Sequence, residues 1–416
     1  MEDDASFAQR RPFASVQSKS AVRRGRKLVI VGILSLLLVF FYASGWSGGQ
    51  PGGIRAFTRP QRRHSPPVLA EPRAERQPLE SSSNSSTLFF PLTVERTAEN
   101  RREVALVVII YNNRSAADYV LPHSTLGCYA RMFDYPLIEI NLEHEKRYLD
   151  ECAGTDFMFQ RHCVMARLME ERPQIEWFAF LDADMGVVNP NHLLEEFTDD
   201  RADLIFYDRL YNYEIMAGAY LARNTPFARS FLRHWAAYEF RVAAGTLHGT
   251  DNGAISEVFL DHFCADCAPD RRRRCATIWR NSHTFDDLFR YESCAREILG
   301  PAEWLRSLNG TVRQLAVGRG YWVRDGWQTS SRWSDDDFMF HGWKERRRNG
   351  EWRSMFASER FPAVRCADRR SAHSLWAYRP EFRATNAEIR EKLEEIARRT
   401  YAGHLDRLQE VNKLPI

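Results

Sequence analysis

The sequence predicts an α/β fold, a mixed sheet flanked by helices, and three observations carry that prediction. Residues 103–111 and 177–184 are apolar runs of strand length, each reading as a buried strand. Between them, Phe159, Val164, Ala166, Leu168 and Met169 recur at helical spacing over residues 157–171, and Pro173 stops the helix. The second apolar run ends abruptly in Asp182-Ala183-Asp184, two carboxylates one residue apart.

Taken in order, residues 103–111 open the domain and end at Tyr111. Ligands of an open α/β sheet bind beyond the carboxyl ends of its strands. Tyr111 is therefore a candidate to stack on a base, with plain edge packing as the alternative. Residues 135–141 form the second strand. In the helix that follows, Arg161 is a candidate diphosphate contact, against the plainer role of a surface salt bridge. Next comes the strand ending at Asp184. Strand residues i and i+2 point the same way, so Asp182 and Asp184 share one side at its end. Two such anions are costly to bury without a cation. Hard oxygen ligands suit Mg²⁺ or Mn²⁺, which keep positions open for phosphate oxygens. The plainer alternative is a polar turn closed by Asn189-Pro190.

Residues 204–207 and 215–222 supply further short strands. Residues 226–241 form an amphipathic helix with Pro226 at its start and Phe231, Trp235 and Tyr238 toward the core. Another helix begins at residues 249–255. Asp251 there either caps it or joins His248 and Asn252 in a sugar-binding corner, because hydroxyls need paired donors and acceptors. The block 324–344 closes with Phe338-Met339-Phe340-His341-Gly342-Trp343-Lys344. It offers a metal-ligating imidazole at His341 and a phosphate-binding ammonium at Lys344, unless His341 is only a packed histidine. Ile389, Leu393, Ile396, Leu405 and Leu408 give residues 384–412 an appended helix or pair, packed on the domain or in contact with a second copy as a homodimer.

The length of 416 residues bounds the chain to one large or two moderate domains with appendages. A net charge of +3 gives no ground for a nucleic-acid partner. Residues 28–44 carry no charge, and Lys19, Arg23, Arg24, Arg26 and Lys27 crowd their amino-terminal side. The expected layout is a cytosolic tail at 1–27 and a transmembrane signal anchor at 28–46. A flexible Gly/Pro/Ser/Arg-rich stem at 47–100, a catalytic domain at 101–365 and a helical extension at 366–416 follow. A signal peptide cleaved near Ala43-Ser44-Gly45 is the competing reading. The chain is thus expected in the membrane with its bulk in the lumen. All eight cysteines lie beyond the anchor, an even number that predicts disulfides of unspecified connectivity. Zinc on Cys264, Cys267, Cys275 and Cys294 is the alternative. Asn84, Asn113 and Asn309 stand in glycosylation sequons.

With these motifs in hand, the chain resembles metal-dependent glycosyltransferases of the GT-A fold, a Rossmann-like mixed sheet. It is most similar to a family of nucleotide-diphospho-sugar transferases described largely from nematodes. The likeness rests on residues 180–190 (FLDADMGVVNP), 213–225 (YEIMAGAYLARNT), 248–254 (HGTDNGA) and 338–344 (FMFHGWK). More distantly it resembles Golgi galactosyl-, mannosyl- and xylosyltransferases that retain anomeric configuration. The resemblance implies transfer of a sugar from a nucleotide-diphosphate donor to a glycan acceptor in the Golgi or the ER. It implies Mn²⁺ (or Mg²⁺) on Asp182, Asp184 and His341, with Lys344 neutralising the leaving group. Asp251 and Asn252 are expected to hold the donor sugar, and Gly218 to let the backbone approach it. His341-Gly342-Trp343-Lys344 is more compact than the His-x-x-Gly-x-x-Lys arrangement of the Golgi enzymes.

Catalysis of such a transfer must stabilise charge on a departing nucleoside diphosphate, which a divalent ion and a lysine do directly. Inversion needs a carboxylate base, for which Asp251 and Glu214 are the candidates. The resemblance favours retention. A membrane-tethered carbohydrate-binding protein on a degenerate scaffold is the alternative, and it has no need of the Asp182, Asp184 and His341 trio. A lumenal hydrolase is a third class, for which further His/Asp clusters are wanting.

Overall fold

The computed structural model describes residues 87–89, 91–112, 116–318, 320–358, 361, 366 and 373–414. The expected anchor at 28–46 and the tail before it lie outside these residues. Among the described residues no helix is long and apolar enough to cross a membrane.

In chain order the strands are β1 (Leu88–Phe89), β2 (Val104–Ile110), β3 (Leu137–Asn141), β4 (Trp177–Leu181), β5 (Gly186–Val187) and β6 (Leu204–Tyr207). They continue with β7 (Ala219–Arg223), β8 (Trp304–Arg306), β9 (Thr311–Leu315), β10 (Val323–Asp325), β11 (Met339–His341) and β12 (Ala377–Tyr378). The main helices are α1 (Val120–Phe133), α2 (Lys146–Glu151), α3 (Phe157–Glu171) and α4 (Pro226–Ala237). After them come α5 (Thr250–Phe263), α6 (Pro269–Arg280), α7 (Phe285–Leu299) and α8 (Asn386–Lys413).

A mixed seven-stranded sheet runs in the order β3-β2-β4-β7-β6-β9-β8. β2 lies parallel between β3 and β4, and β7 runs antiparallel to β4. Successive strand side chains point to opposite faces, and here both faces are covered. Val104, Leu106, Trp177 and Ala179 pack with Leu126, Tyr129 and Phe133 of α1. Ala105, Val107, Phe178 and Phe180 pack with Phe159 and Val164 of α3 and with Phe231 and Trp235 of α4. That is why residues 104–110 and 177–181 read as unbroken apolar runs. Each large side chain so enclosed contributes about 1.5–3 kcal/mol.

The chain departs from expectation at two places. The strand expected over 215–222 spans Ala219–Arg223, because residues 216–218 must first pass beside Asp182, whose backbone N–H donates to Gly218 O at 2.7 Å. The expected stem is not free up to residue 100. The Arg96 guanidinium is buried against Glu195 at 2.8 Å and lies 4.0 Å over the Tyr135 ring, so residues 91–100 dock on the domain. The appended helix expected near residues 384–412 is present as one 28-residue helix, Asn386–Lys413, with a capping box of Thr385 and Glu388. It packs along α7, where Arg290 Nε meets Glu410 at 2.6 Å.

The cysteines form four disulfides, Cys128–Cys366, Cys152–Cys163, Cys264–Cys267 and Cys275–Cys294. The zinc alternative for the last four therefore falls. A second, three-stranded sheet in the order β10-β11-β5 sits beyond the end of β4. β11 is the middle strand, with Asp325 of β10 opposite His341 and Gly186 of β5 opposite Phe340. Its work is to carry the C-terminal motif back to the aspartates.

Candidate metal centre

β4 ends at Leu181, and the chain turns at once so that Asp182 and Asp184 stand at the carboxyl edge of the sheet. The backbone locks this turn to β11. The N–H groups of Gly342 and Trp343 both donate to Asp184 O, at 3.1 and 3.0 Å. The carboxylate of Asp182 lies over Gly218, where any Cβ would collide with Asp182 Oδ2 and Met216 Cε. Gly218 thus makes room for Asp182, a different service from the expected one of approaching a sugar.

Asp182, Asp184 and His341 each offer one ligand atom, and these atoms all lie within 4.8 Å of one another. His341 Nε2 stands 3.3 Å from Asp184 Oδ1, and Lys344 Nζ stands 3.3 Å from Asp184 Oδ2. The compact His-Gly-Trp-Lys spacing therefore still brings Lys344 onto the centre. Behind His341, Asp325 Oδ1 accepts from Nδ1 at 2.7 Å, which leaves Nε2 facing the aspartates. A carboxylate oriented behind a histidine in this way fixes the ring and raises its basicity as a ligand.

The charges agree with that picture. Burial pulls the His341 imidazole down, but Asp184 and Asp325 outweigh it and hold its pKa up at about 10. Burial pushes Asp184 up, while His341 and Lys344 draw it well below the usual carboxylate range. Asp182 is raised by burial and by the Asp184 charge, with Arg161 opposing. The same negative charge would draw a divalent cation. Two carboxylate oxygens and an imidazole nitrogen fit Mn²⁺ or Mg²⁺. Tyr119, which lies close by, was not singled out in the sequence. Burial and the charges of Asp184 and Asp182 push its phenol up to about 12.

Arg161 joins this centre to a second cluster. Its guanidinium pairs with Asp182 on one side and with Asp251 on the other, at 2.5 Å from Nη2 to Oδ2. The expected surface salt bridge is in fact buried. Asp251 is fully enclosed and also meets His162 Nε2 at 2.9 Å. Burial carries His162 down to about 4, so the ring is neutral, and it stacks on Trp235 with 3.5 Å between centroids. Asp251 is therefore neither a helix cap nor a base open to an acceptor. It anchors Arg161 from inside. His248 provides the cap at the start of α5, its Nδ1 accepting from Thr250 N–H at 3.0 Å. Asn252, next to Asp251, is half-buried.

Glu214, the other expected base, is also turned inward. Arg209 Nη1 and Asn212 Nδ2 donate to it at 2.5 and 2.6 Å. Arg209 Nη2 in turn donates to Asp325 at 2.8 Å. Glu214 thus reaches the centre through Arg209, Asp325 and His341 in sequence. Tyr111 stays exposed, with Phe157 edge-on at 5.8 Å. Asp325 is the residue the motifs missed: its strand is only Val323-Arg324-Asp325, too short and too polar to carry the signature of the apolar run before Asp182.

A family model described as "Protein of unknown function, DUF273" matches residues 126–356, a span that holds every residue of the centre. No curated protein matches the chain. Among solved structures, a glycosyltransferase involved in the glycosylation of the major capsid of PBCV-1 is 17% identical, covering 38% of this chain and 74% of its own, with a TM-score of 0.28. A197 from STIV is 10% identical over 36% of this chain and 74% of its own, with a TM-score of 0.22. At such TM-scores neither likeness bears on what this chain is.

Proposed function

Because the chain belongs to the DUF273 family, whose description assigns no activity, we propose its function from the centre itself: transfer of a sugar from a nucleotide-diphosphate donor to a glycan acceptor, dependent on a divalent metal. One observation carries the proposal. Asp182, Asp184 and His341 converge within 4.8 Å at the carboxyl edge of the sheet, with Lys344 beside them. A bound Mn²⁺ or Mg²⁺ supplies a positive charge against which a diphosphate's charge develops as it leaves.

The chain's own residues do the rest. Asp325 holds the His341 ring in one orientation, and Arg209 holds Asp325. Arg161, gripped by Asp251, fixes the Asp182 carboxylate. Lys344 stands at the half-open side of the centre, 26% exposed, where it can meet a phosphate oxygen. Asp251 and Glu214 are both committed to arginines, so neither is free as the base that inversion requires, which supports retention of configuration. Tyr111, exposed beyond β2, is our candidate for the nucleotide base, and the half-buried Asn252 for the donor sugar. Four disulfides and the basic flank of residues 28–46 support a lumenal body anchored in the Golgi or ER membrane.

The test is hydrolysis of a panel of nucleotide sugars by the full chain, with Mn²⁺ and then with EDTA. Release of nucleoside diphosphate that EDTA stops, and that Asp184→Asn abolishes, is the expected result. Carbohydrate binding with no turnover of any donor would instead favour a degenerate, binding-only scaffold.

A further inference from the structure

Of the three sequons, Asn309-Gly310-Thr311 is the one that lies wholly among the described residues. It stands at the tip of the hairpin that joins β8 to β9. Arg306 is opposite Thr311, and Ser307 N–H donates to Gly310 O at 3.0 Å, so residues 307–310 make the turn. The inner side of this turn is packed. A Cβ on Gly310 would collide with the Phe227 ring at the start of α4, and Thr311 N–H donates to Asp203 Oδ2 at 2.8 Å. The outer side is open. Leu308 and Asn309 are both exposed, and the Asn309 carboxamide makes no hydrogen bond among the described residues.

A surface asparagine commonly ties its amide to a nearby group. The amides of Asn191, Asn224, Asn281 and Asn386 do so here, donating to Pro91 O, Met169 O, Thr277 O and Asp336 Oδ1. The Asn309 amide is left to solvent, with room around it. A used sequon needs both, because the attached oligosaccharide is bulky and must stay outside the fold.

The topology fixes which end of the sheet the tip occupies. β7 runs antiparallel to both β4 and β6, and β9 runs parallel to β6, so β9 points the same way as β4. Asn309 comes just before β9 begins, whereas Asp182 comes just after β4 ends. Asn309 and the metal centre are therefore at opposite ends of the sheet. A glycan on the first leaves the approach to the second clear.

We propose that Asn309 is a site of N-linked glycosylation, and that its glycan stands at the end of the sheet remote from the metal centre. The proposal rests on the lumenal placement given above, since the modification belongs to surface loops of chains in the secretory route. The donor is an oligosaccharide carried on a lipid diphosphate. A bond forms from Asn309 Nδ2 to C1 of the first sugar, and the bond from that carbon to the lipid diphosphate breaks. The diphosphate leaves with the electron pair, and the amide gives up one proton.

The experiment uses the full chain made in a secreting eukaryotic cell. Peptide N-glycosidase converts each glycosylated asparagine to aspartate, and peptide mass spectrometry before and after treatment reads which positions carried a glycan. A glycan on Asn309 is expected. Asn309→Gln should be one glycan lighter, unchanged in unfolding temperature, and equal to the parent in Mn²⁺-dependent hydrolysis of nucleotide sugars. Should Asn309→Gln fail to fold, a second pair serves. Thr311→Val keeps the strand shape without the hydroxyl that the sequon requires and should lose the glycan, and Thr311→Ser should keep it. A glycan that persists on Asn309 in Thr311→Val overturns the proposal. A bare Asn309 in a chain glycosylated at Asn84 or Asn113 sinks this inference and leaves the lumenal placement standing. No glycan at any of the three sinks both. Turnover lost with the Asn309 glycan overturns the remote placement. A glycosylated Asn309 in a chain that hydrolyses no donor sinks the transfer reading alone.

Discussion

Two acidic clusters lie side by side, joined by Arg161, and they differ in what closes them. Around Asp251 everything is satisfied and dry. Arg161 and His162 meet its Oδ2 and the Thr250 hydroxyl donates to its Oδ1, and the side chains of Asp251 and His162 are 0% exposed. Around Asp184 the groups are half open. Asp182 and His341 are 22% and 18% exposed, and Asp184 meets His341 and Lys344 at 3.3 Å rather than at tight hydrogen-bond distance. The first arrangement is complete without a ligand. The second has ligand atoms that could hold a cation. The same residue types thus make a structural anchor in one place and a candidate metal centre in the other, and the difference lies in how completely the protein itself pairs them.

The sharpest way to break the comparison is at Asp182. Its carboxyl is pushed up by burial and by Asp184, so the fold gains little from its charge. Asp182→Asn should lower metal-dependent donor turnover by about 10³-fold or more, the scale of losing a main electrostatic contact to the transition state. Its unfolding midpoint in denaturant should be no lower than that of the parent chain. Normal turnover would remove Asp182 from the centre.

Asp251→Asn should do the reverse and act on the fold. Arg161 and His162 hold Asp251 down to about 2 against burial. Removing one partner of a buried pair leaves the other unpaired, at a cost of about 3–5 kcal/mol. Equilibrium unfolding should show that loss, and a variant of parental stability would mean that Asp251 is not an anchor. A smaller effect is expected one step behind the metal. Asp325→Asn keeps all three ligands but loosens the His341 ring, and supporting residues of this kind are worth about 10–100-fold in metal affinity. Calorimetric titration with Mn²⁺ measures it. An unchanged affinity would make Asp325 a partner of Arg209 and nothing more.

How much of this was legible in the sequence depends on the range of the interaction. The Asp182/Asp184 strand end is local, since a buried run with a sharp polar stop announces its own geometry. His341 and Lys344 were legible as a motif, and the three-stranded sheet that delivers them was not, because its strands have only two or three residues each. Asp251 was misread for a different reason. From its own surroundings it is an acidic residue opening a helix, and its burial is decided by Arg161, 90 positions earlier in the chain. Arg161, read by itself, belongs on a helix surface. Residues 91–100 have the polar composition of the stem, yet Arg96 is held by Glu195 from nearly 100 positions away. Pairs of buried opposite charges leave no periodicity to read.

Glu292 sharpens the comparison with the smallest expected effect. It is 5% exposed, nearly as deep as Asp251, but among the described residues neither of its carboxylate oxygens has a hydrogen-bond partner. Burial first, and then the charge of Glu214, raise its pKa well above the ordinary value of 4.5, with Arg209 and Arg407 opposing. The folded chain therefore keeps a proton on Glu292 that the unfolded chain releases near pH 4.5. Its contribution to stability is fully present below that pH and is lost as pH rises toward the folded value, the opposite of Asp251. Glu292→Met, similar in length and without charge, should raise stability at neutral pH by about 1–2 kcal/mol. It should also flatten the decline of stability with pH above about 4.5. Unfolding curves across that range decide the matter. A variant that loses stability at every pH would show that Glu292 is satisfied after all, as Asp251 is, and that burial without a visible partner does not mark a liability in this fold.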